Sequence, residues 1–189
     1  MNAPFPRPGL LASNESPLGA SPHVRDAIAK GLDNLHLYPD SPATALREAI
    51  GKAHDIEPAR VLCSNGSEEM LHMLARSYAG PGDEVIYSQY GFLAYPIATK
   101  AAGAKAVVIA ERDLHADVDA ILAAVTDKTR IVFLANPNNP TGTYLPDSEI
   151  RRLHAGLPGT VLLALDEAYA EYAGAPDYVS GLALAKGAN

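Results

Sequence analysis

From Arg60 onward the sequence alternates short apolar runs with longer segments that carry one apolar face, a rhythm few folds accommodate. The runs are residues 61–63, 84–87, 105–110, 130–135 and 160–165; the helix-like segments between them are 67–79, 92–102, 116–125 and 146–155. A helix that follows a strand carries the chain back to the sheet's starting edge, so successive strands run parallel and both sheet faces are covered. The expected class is α/β: a three-layer α/β/α sandwich around a mostly parallel sheet, with Gly80-Pro81-Gly82-Asp83 as one of its turns.

Residues 1–58 read differently, as an N-terminal arm with helices ahead of a large domain at 59–189. The first twenty residues are rich in Pro, Gly, Ser and Asn and predict no regular structure. Ser21-Pro22 opens a helix to about Lys30 with Gly31 as its stop, because serine caps and proline suits a first turn. Ser41-Pro42 opens another to about His54, and residues 35–39 between them read as extended. A last helix, 178–186, precedes Gly187. The alternation calls for a strand next, yet the sequence ends at Asn189. The domain is therefore expected to be incomplete, with an open sheet edge that favours self-association.

A net charge of −7 with scattered basic residues argues against a nucleic-acid partner. Cys63 is the single cysteine, so no internal disulfide can form. No apolar stretch is long enough for a bilayer span or a signal-peptide core, and a cytoplasmic protein is expected. The six histidines show no metal-ligand spacing.

Two motifs sit at predicted strand ends. Asn136-Pro137-Asn138-Asn139-Pro140-Thr141-Gly142 follows 130–135, and Asp166-Glu167-Ala168-Tyr169 follows 160–165. Carboxyl ends of neighbouring parallel strands face the ligand crevice, so an amide, an acid and a phenol converge there. Asp166 could close a Walker B strand, but no G-x-x-x-x-G-K-[ST] loop exists to hold a nucleotide. It could instead cap the next helix, or hold the proton on a pyridine nitrogen and so make the ring an electron sink. Asn139 and Tyr169 offer donors to a ring oxygen. NPNNPTG could also be only a rigid loop; its turn formers account for the prolines but not for three asparagines. One Asn-Pro bond is expected to be cis.

Ser64-Asn65-Gly66-Ser67-Glu68-Glu69 begins a helix whose free amides suit a phosphate, although a Ser67 cap with acids behind it is ordinary helix design. If a phosphate sits there, Glu68 and Glu69 should point away. Tyr90 follows the second strand and could stack on a planar ring or pack in the core. Tyr38 is a surface aromatic that could reach a phosphate on a partner subunit.

In family order, ASNESP, LYPD, SNGSEEML, SQYGFLAYP, NPNNPTG and LDEAYAEY resemble the fold-type I aminotransferases, and within them the histidinol-phosphate branch. That resemblance covers nearly the whole chain and implies the large domain of the aspartate aminotransferase-like fold. It implies pyridoxal 5'-phosphate as cofactor, bound by Asp166 at the ring nitrogen, by Asn139 and Tyr169 at the ring oxygen and by Tyr90 stacked on the ring. Gly66, Ser67 and Glu68 would hold the phosphate through backbone contacts, and Tyr38 the phosphate of a neighbouring subunit in a homodimer. Asn14 and Glu15 would lie near the substrate, an amino acid or phosphate ester.

The family's Schiff-base lysine lies beyond a further strand, past the last residue here. Of Lys30, Lys52, Lys100, Lys105, Lys128 and Lys186, only Lys186 follows Asp166, and it falls in a helix's last turn, where a cation suits the dipole. No catalytic residue is assigned, and a chain of this extent is expected to lack turnover. A related aminotransferase for aromatic amino acids, a phosphothreonine-type decarboxylase, or a non-catalytic remnant that only binds cofactor or a partner are the other readings.

Overall fold

The computed structural model describes residues 14–16 and 18–187. Most of the predicted irregular arm, residues 1–13 and Pro17, lies outside that range. The chain forms two compact units, Met1–Ala43 and Thr44–Asn189.

In the first unit, α1 spans Pro22–Gly31. The Ser21 hydroxyl accepts from Val24 N at 3.3 Å, and Pro22 occupies the first turn, as serine-proline predicts. Gly31 does not end the helix in a left-handed conformation: its φ of −67° stays right-handed, and a 3-10 turn, Leu32–Asn34, continues from it. The expected extended piece at 35–39 is therefore partly a turn, closed by Leu37 N donating to Asn34 O at 3.0 Å. No residue of α1 is buried; Val24, Ile28 and Leu32 line an exposed apolar stripe.

The second unit opens with α2, Thr44–His54. The helix begins past Ser41-Pro42 because Ala43 N donates to Asp40 O and Ala43 takes a φ of 50°, which makes serine and proline the tip of a turn. There follow α3 (Gly66–Tyr78), β1 (Glu84–Ser88), α4 (Ala94–Ala101), β2 (Lys105–Ile109), α5 (Val118–Ala123), β3 (Thr129–Ala135), α6 (Asp147–Gly156), β4 (Leu162–Asp166) and α7 (Leu182–Gly187). All strand pairs are parallel, in the order β2-β1-β3-β4.

The alternation of strand side chains divides the core in two. Val85, Tyr87, Ile131, Phe133 and Ala135 face α3 and α4, and Ile86, Val132 and Leu134 face α5 and α6. This is the three-layer arrangement that the sequence rhythm requires, and it explains why β1 is buried at every position.

Two expected elements differ. Residues 61–63 form no strand: Val61 is extended, with φ −102° and ψ 127°, but Leu62 is exposed and no described strand pairs with the segment. An extended run becomes a strand only when a neighbouring backbone accepts its hydrogen bonds. The last helix starts at Leu182 rather than 178, because Tyr178, Ser180 and Gly181 are drawn into polar contacts with Glu167 and cannot continue a helix backwards.

Candidate functional site

The strand order places the crevice. The chain leaves β1 toward β2 and leaves β3 toward β4, so the connections diverge between the neighbours β1 and β3, where open α/β sheets bind ligands beyond their carboxyl ends. Tyr90 lies just past β1, NPNNPTG past β3 and Asp166 at the end of β4. Helix α3 precedes β1 through a short turn, which puts the start of α3 at this same edge.

Register fixes the two motifs against each other. Ala135 pairs with Asp166, and Asn136 N donates to Asp166 O at 2.9 Å. The three asparagines then divide their work. Asn136 is 2% exposed and staples the loop shut: its amide donates to Leu145 O at 3.2 Å and accepts from Leu145 N at 2.7 Å. Asn138 spans the crevice, its Nδ2 donating to Tyr90 O at 3.0 Å and to Thr141 Oγ1 at 2.9 Å. Asn139 is half-buried, and its side chain makes no hydrogen bond among the described residues. Rigid-loop demands thus consume two amides and leave the third. Both Asn136-Pro137 and Asn139-Pro140 are cis, where one such bond was expected.

At the end of β4, Asp166 Oδ2 accepts from the Tyr95 hydroxyl at 3.1 Å, and Oδ1 accepts from Ala168 N at 3.3 Å. The second contact realises, in part, the local capping that an isolated strand-end acid suggests. Tyr95 carries no role in the sequence reading. The signal that could have found it is a tyrosine on an otherwise apolar helix face, since a buried hydroxyl demands a partner. It is 1% exposed, and burial pushes its phenol far up, reinforced by the negative charge of Asp166. Tyr169 is half-buried with its ring 6.3 Å from that of Tyr172.

The next acid points elsewhere. Glu167 accepts from Ser180 Oγ at 2.7 Å and Gly181 N at 2.6 Å, and the Tyr178 hydroxyl lies 3.4 Å from it while donating to Asn136 O at 3.0 Å. Partial burial, then the charge of Glu167, pushes the Tyr178 phenol up to about 12.

Tyr90 is 45% exposed, which rules out the core-packing alternative. Its backbone is gripped on both sides, by Glu111 Oε1 accepting from its N at 3.2 Å and by Asn138. Glu111 Oε2 and Asn138 Oδ1 are buried acceptors with no donor among the described residues.

At the start of α3, Gly66 has φ +81° and open space where a Cβ would stand, and Gly66, Ser67 and Glu68 are all exposed. The capping position is Asn65, not Ser67, and it makes no side-chain cap. Glu69 does not point away: its Oε2 accepts from Asn65 N at 2.6 Å and Nδ2 at 3.1 Å, since a helix's positive end attracts a carboxylate.

Tyr38, fully exposed, and Asn14 and Glu15 belong to the other unit. None of the six lysines follows the carboxyl end of a strand. Lys105 starts β2, where it pairs with Glu84, and Lys186 meets Asp55 at 3.3 Å. Among the described residues there is no metal-ligand cluster, and no helix is long and apolar enough to cross a membrane.

The arrangement offers a carboxylate acceptor, a spare amide donor, an exposed ring and a helix start on one edge, where Gly66 N already donates to Ser64 O at 2.9 Å and Asn65 N to Glu69. That donor set fits pyridoxal phosphate, with its protonated nitrogen, ring oxygen and phosphate.

Known proteins share the fold. A histidinol-phosphate aminotransferase of Rhodospirillum centenum is 53% identical over 205 residues, an alignment covering 97% of this chain and 57% of that protein. The crystal structure of histidinol-phosphate aminotransferase from Sinorhizobium meliloti in complex with pyridoxal-5'-phosphate superposes with a TM-score of 0.82 at 31% identity, over 85% of this chain and 44% of that one. A mutant aspartate aminotransferase of Thermus thermophilus gives a TM-score of 0.76 at 25% identity, over 83% and 47% respectively. The chain spans about half the length of the curated relatives it matches. The pattern of aminotransferase class I and II matches residues 9–189, and the chain belongs to that family.

Proposed function

We propose that this chain supplies the ring-binding wall of a pyridoxal 5'-phosphate site in a histidinol-phosphate aminotransferase, and that alone it does not turn over. The whole enzyme would exchange an amino group between histidinol phosphate or imidazole-acetol phosphate and glutamate or 2-oxoglutarate, as a cytoplasmic homodimer. One observation carries the reading. The backbone bond from Asn136 to Asp166 brings the two motifs side by side while Asn139 keeps its amide uncommitted.

When bound, pyridoxal phosphate supplies an electron sink for negative charge at the substrate carbon. Asp166 accepts from the ring nitrogen and keeps it protonated. Asn139 and Tyr169 donate to the ring oxygen, and Tyr90 covers a ring face. The backbone amides of Gly66, Ser67 and Glu68 hold the phosphate, a role that requires the Glu69 carboxylate to swing off the helix start. Tyr38 serves a neighbouring subunit's phosphate, and Asn14 and Glu15 lie near the substrate. No lysine here is placed for the covalent step, which supports the absence of turnover.

Titrating the purified chain with pyridoxal phosphate, followed by absorbance and by mass after borohydride reduction, tests this. Saturable uptake that Asp166→Asn weakens, without an adduct fixed on a single lysine and without transamination, is the expected result. Undetectable uptake removes the site; turnover by the 189-residue chain removes the claim that it is inactive alone.

A further inference from the structure

We propose that Tyr95 is a positioning residue: its phenol holds the Asp166 carboxylate in one orientation. This rests on the reading of Asp166 as the partner of a ring nitrogen. The geometry is specific. The Tyr95 ring stacks on Phe133, with centroids 5.2 Å apart and planes within 9°, and stands edge-on to Phe92 at 6.0 Å. Tyr87 flanks it at 6.3 Å. A phenylalanine would satisfy all three contacts. The hydroxyl therefore needs its own reason, and its polar contact is Asp166 Oδ2, 3.1 Å away and 71 residues along the chain.

The consequence for the acid is a fixed orientation. A phenol can only donate to a carboxylate. With Oδ2 held by Tyr95 and Oδ1 accepting from Ala168 N, the plane of the carboxylate is fixed from two sides. Each oxygen keeps a second lone pair for a ligand. The support is rigid, because Phe133 lies in β3, which pairs with β4 through Phe133 and Ala164. An acid free to rotate could not keep its oxygens aimed at a ring nitrogen.

The test uses the full 189-residue chain as wild type, Tyr95→Phe, Asp166→Asn and the double variant. Carbon-13 NMR reads the Asp166 carboxyl resonance at neutral pH, and fluorescence follows uptake of pyridoxal phosphate. Tyr95→Phe is expected to shift the Asp166 carboxyl resonance and to weaken uptake about tenfold, the scale of one hydrogen bond to a charged group. In the Asp166→Asn background the same change should alter uptake little. An unmoved Asp166 resonance overturns the proposal, as does equal weakening in both backgrounds, which would mark a packing role. A moved resonance in a chain that takes up no cofactor leaves the Tyr95–Asp166 link standing and overturns the assignment of Asp166 to a ring.

Discussion

Asn136 and Leu145 exchange two hydrogen bonds, side-chain amide against backbone, across the full width of the NPNNPTG loop. The pairing imitates a pair of strand residues where no strand exists, and Asn136 is buried beneath it. Asn136→Ala leaves both Leu145 groups unpaired, at a cost of about 1–3 kcal/mol for each buried group. A clear drop in the urea midpoint is expected, with Asn136→Asp intermediate because it still accepts from Leu145 N. Midpoints matching wild type would show that the loop is held by its prolines alone.

The two neighbouring asparagines should separate fold from binding. Asn138→Ala loses the bridge to Tyr90 O and the contact to Thr141, and should cost about 1 kcal/mol of stability. Asn139→Ala removes no side-chain hydrogen bond among the described residues, so its stability should stay within about 0.5 kcal/mol of wild type. Its uptake of pyridoxal phosphate should fall. Thermal melts and cofactor titrations on both variants check the contrast.

Acid sensitivity should centre partly on Glu84. It sits at the start of β1, accepts from Lys105 Nζ at 2.8 Å and from Thr126 Oγ1 at 2.6 Å, and those two bonds hold its carboxyl below the ordinary value of 4.5. A lowered folded-state value means the stabilisation is complete above the unfolded glutamate range and fades as pH falls through the folded one. Glu84→Gln should therefore be less stable than wild type at neutral pH, and the gap should narrow below about pH 4. Urea midpoints measured from pH 7 downward give the sign.

Gly51 offers a case where helix propensity points the wrong way. Alanine is favoured over glycine inside a helix by about 1 kcal/mol. At this buried position in α2, a Cβ would stand 2.6 Å from Ile56 O and 3.1 Å from the Pro58 ring. The carbonyl belongs to backbone that cannot step aside cheaply, so overpacking of about 1–3 kcal/mol wins. Gly51→Ala should lower the melting temperature; an increase would show that the 55–58 turn gives way.

The fold was legible because burial wrote it into the sequence. Runs such as 84–87 and 130–135 are apolar at nearly every position because helices cover both of their sides. Segment 61–63 has the same texture, but texture cannot say whether a neighbouring backbone is available, and none is among the described strands. At the site, Asn139 and Asp166 could be read from motifs at strand ends. The division of labour among Asn136, Asn138 and Asn139 could not, since it depends on which amide the folded loop consumes. Tyr95 escaped for a related reason: its partner is remote in sequence, and only the pairing of β3 with β4 brings the acid within reach. Glu69 turns to the start of α3 because its side chain answers to the charge of its own helix, a local attraction that a phosphate-centred expectation leaves out.

Asp166 and Glu167 are consecutive acids that point to opposite sides of the sheet, one to Tyr95 and the other to the 178–181 segment. The partition depends wholly on Ala135 standing opposite Asp166. Sliding β4 by a single residue would exchange the two, bringing a longer acid toward the phenol and a shorter one toward a serine it could not span. Among the described strands β4 has one neighbour, so resistance to such a misalignment comes from β3 together with these two unlike grips. The pair of acids thus works as a two-pronged key that seats in one alignment only.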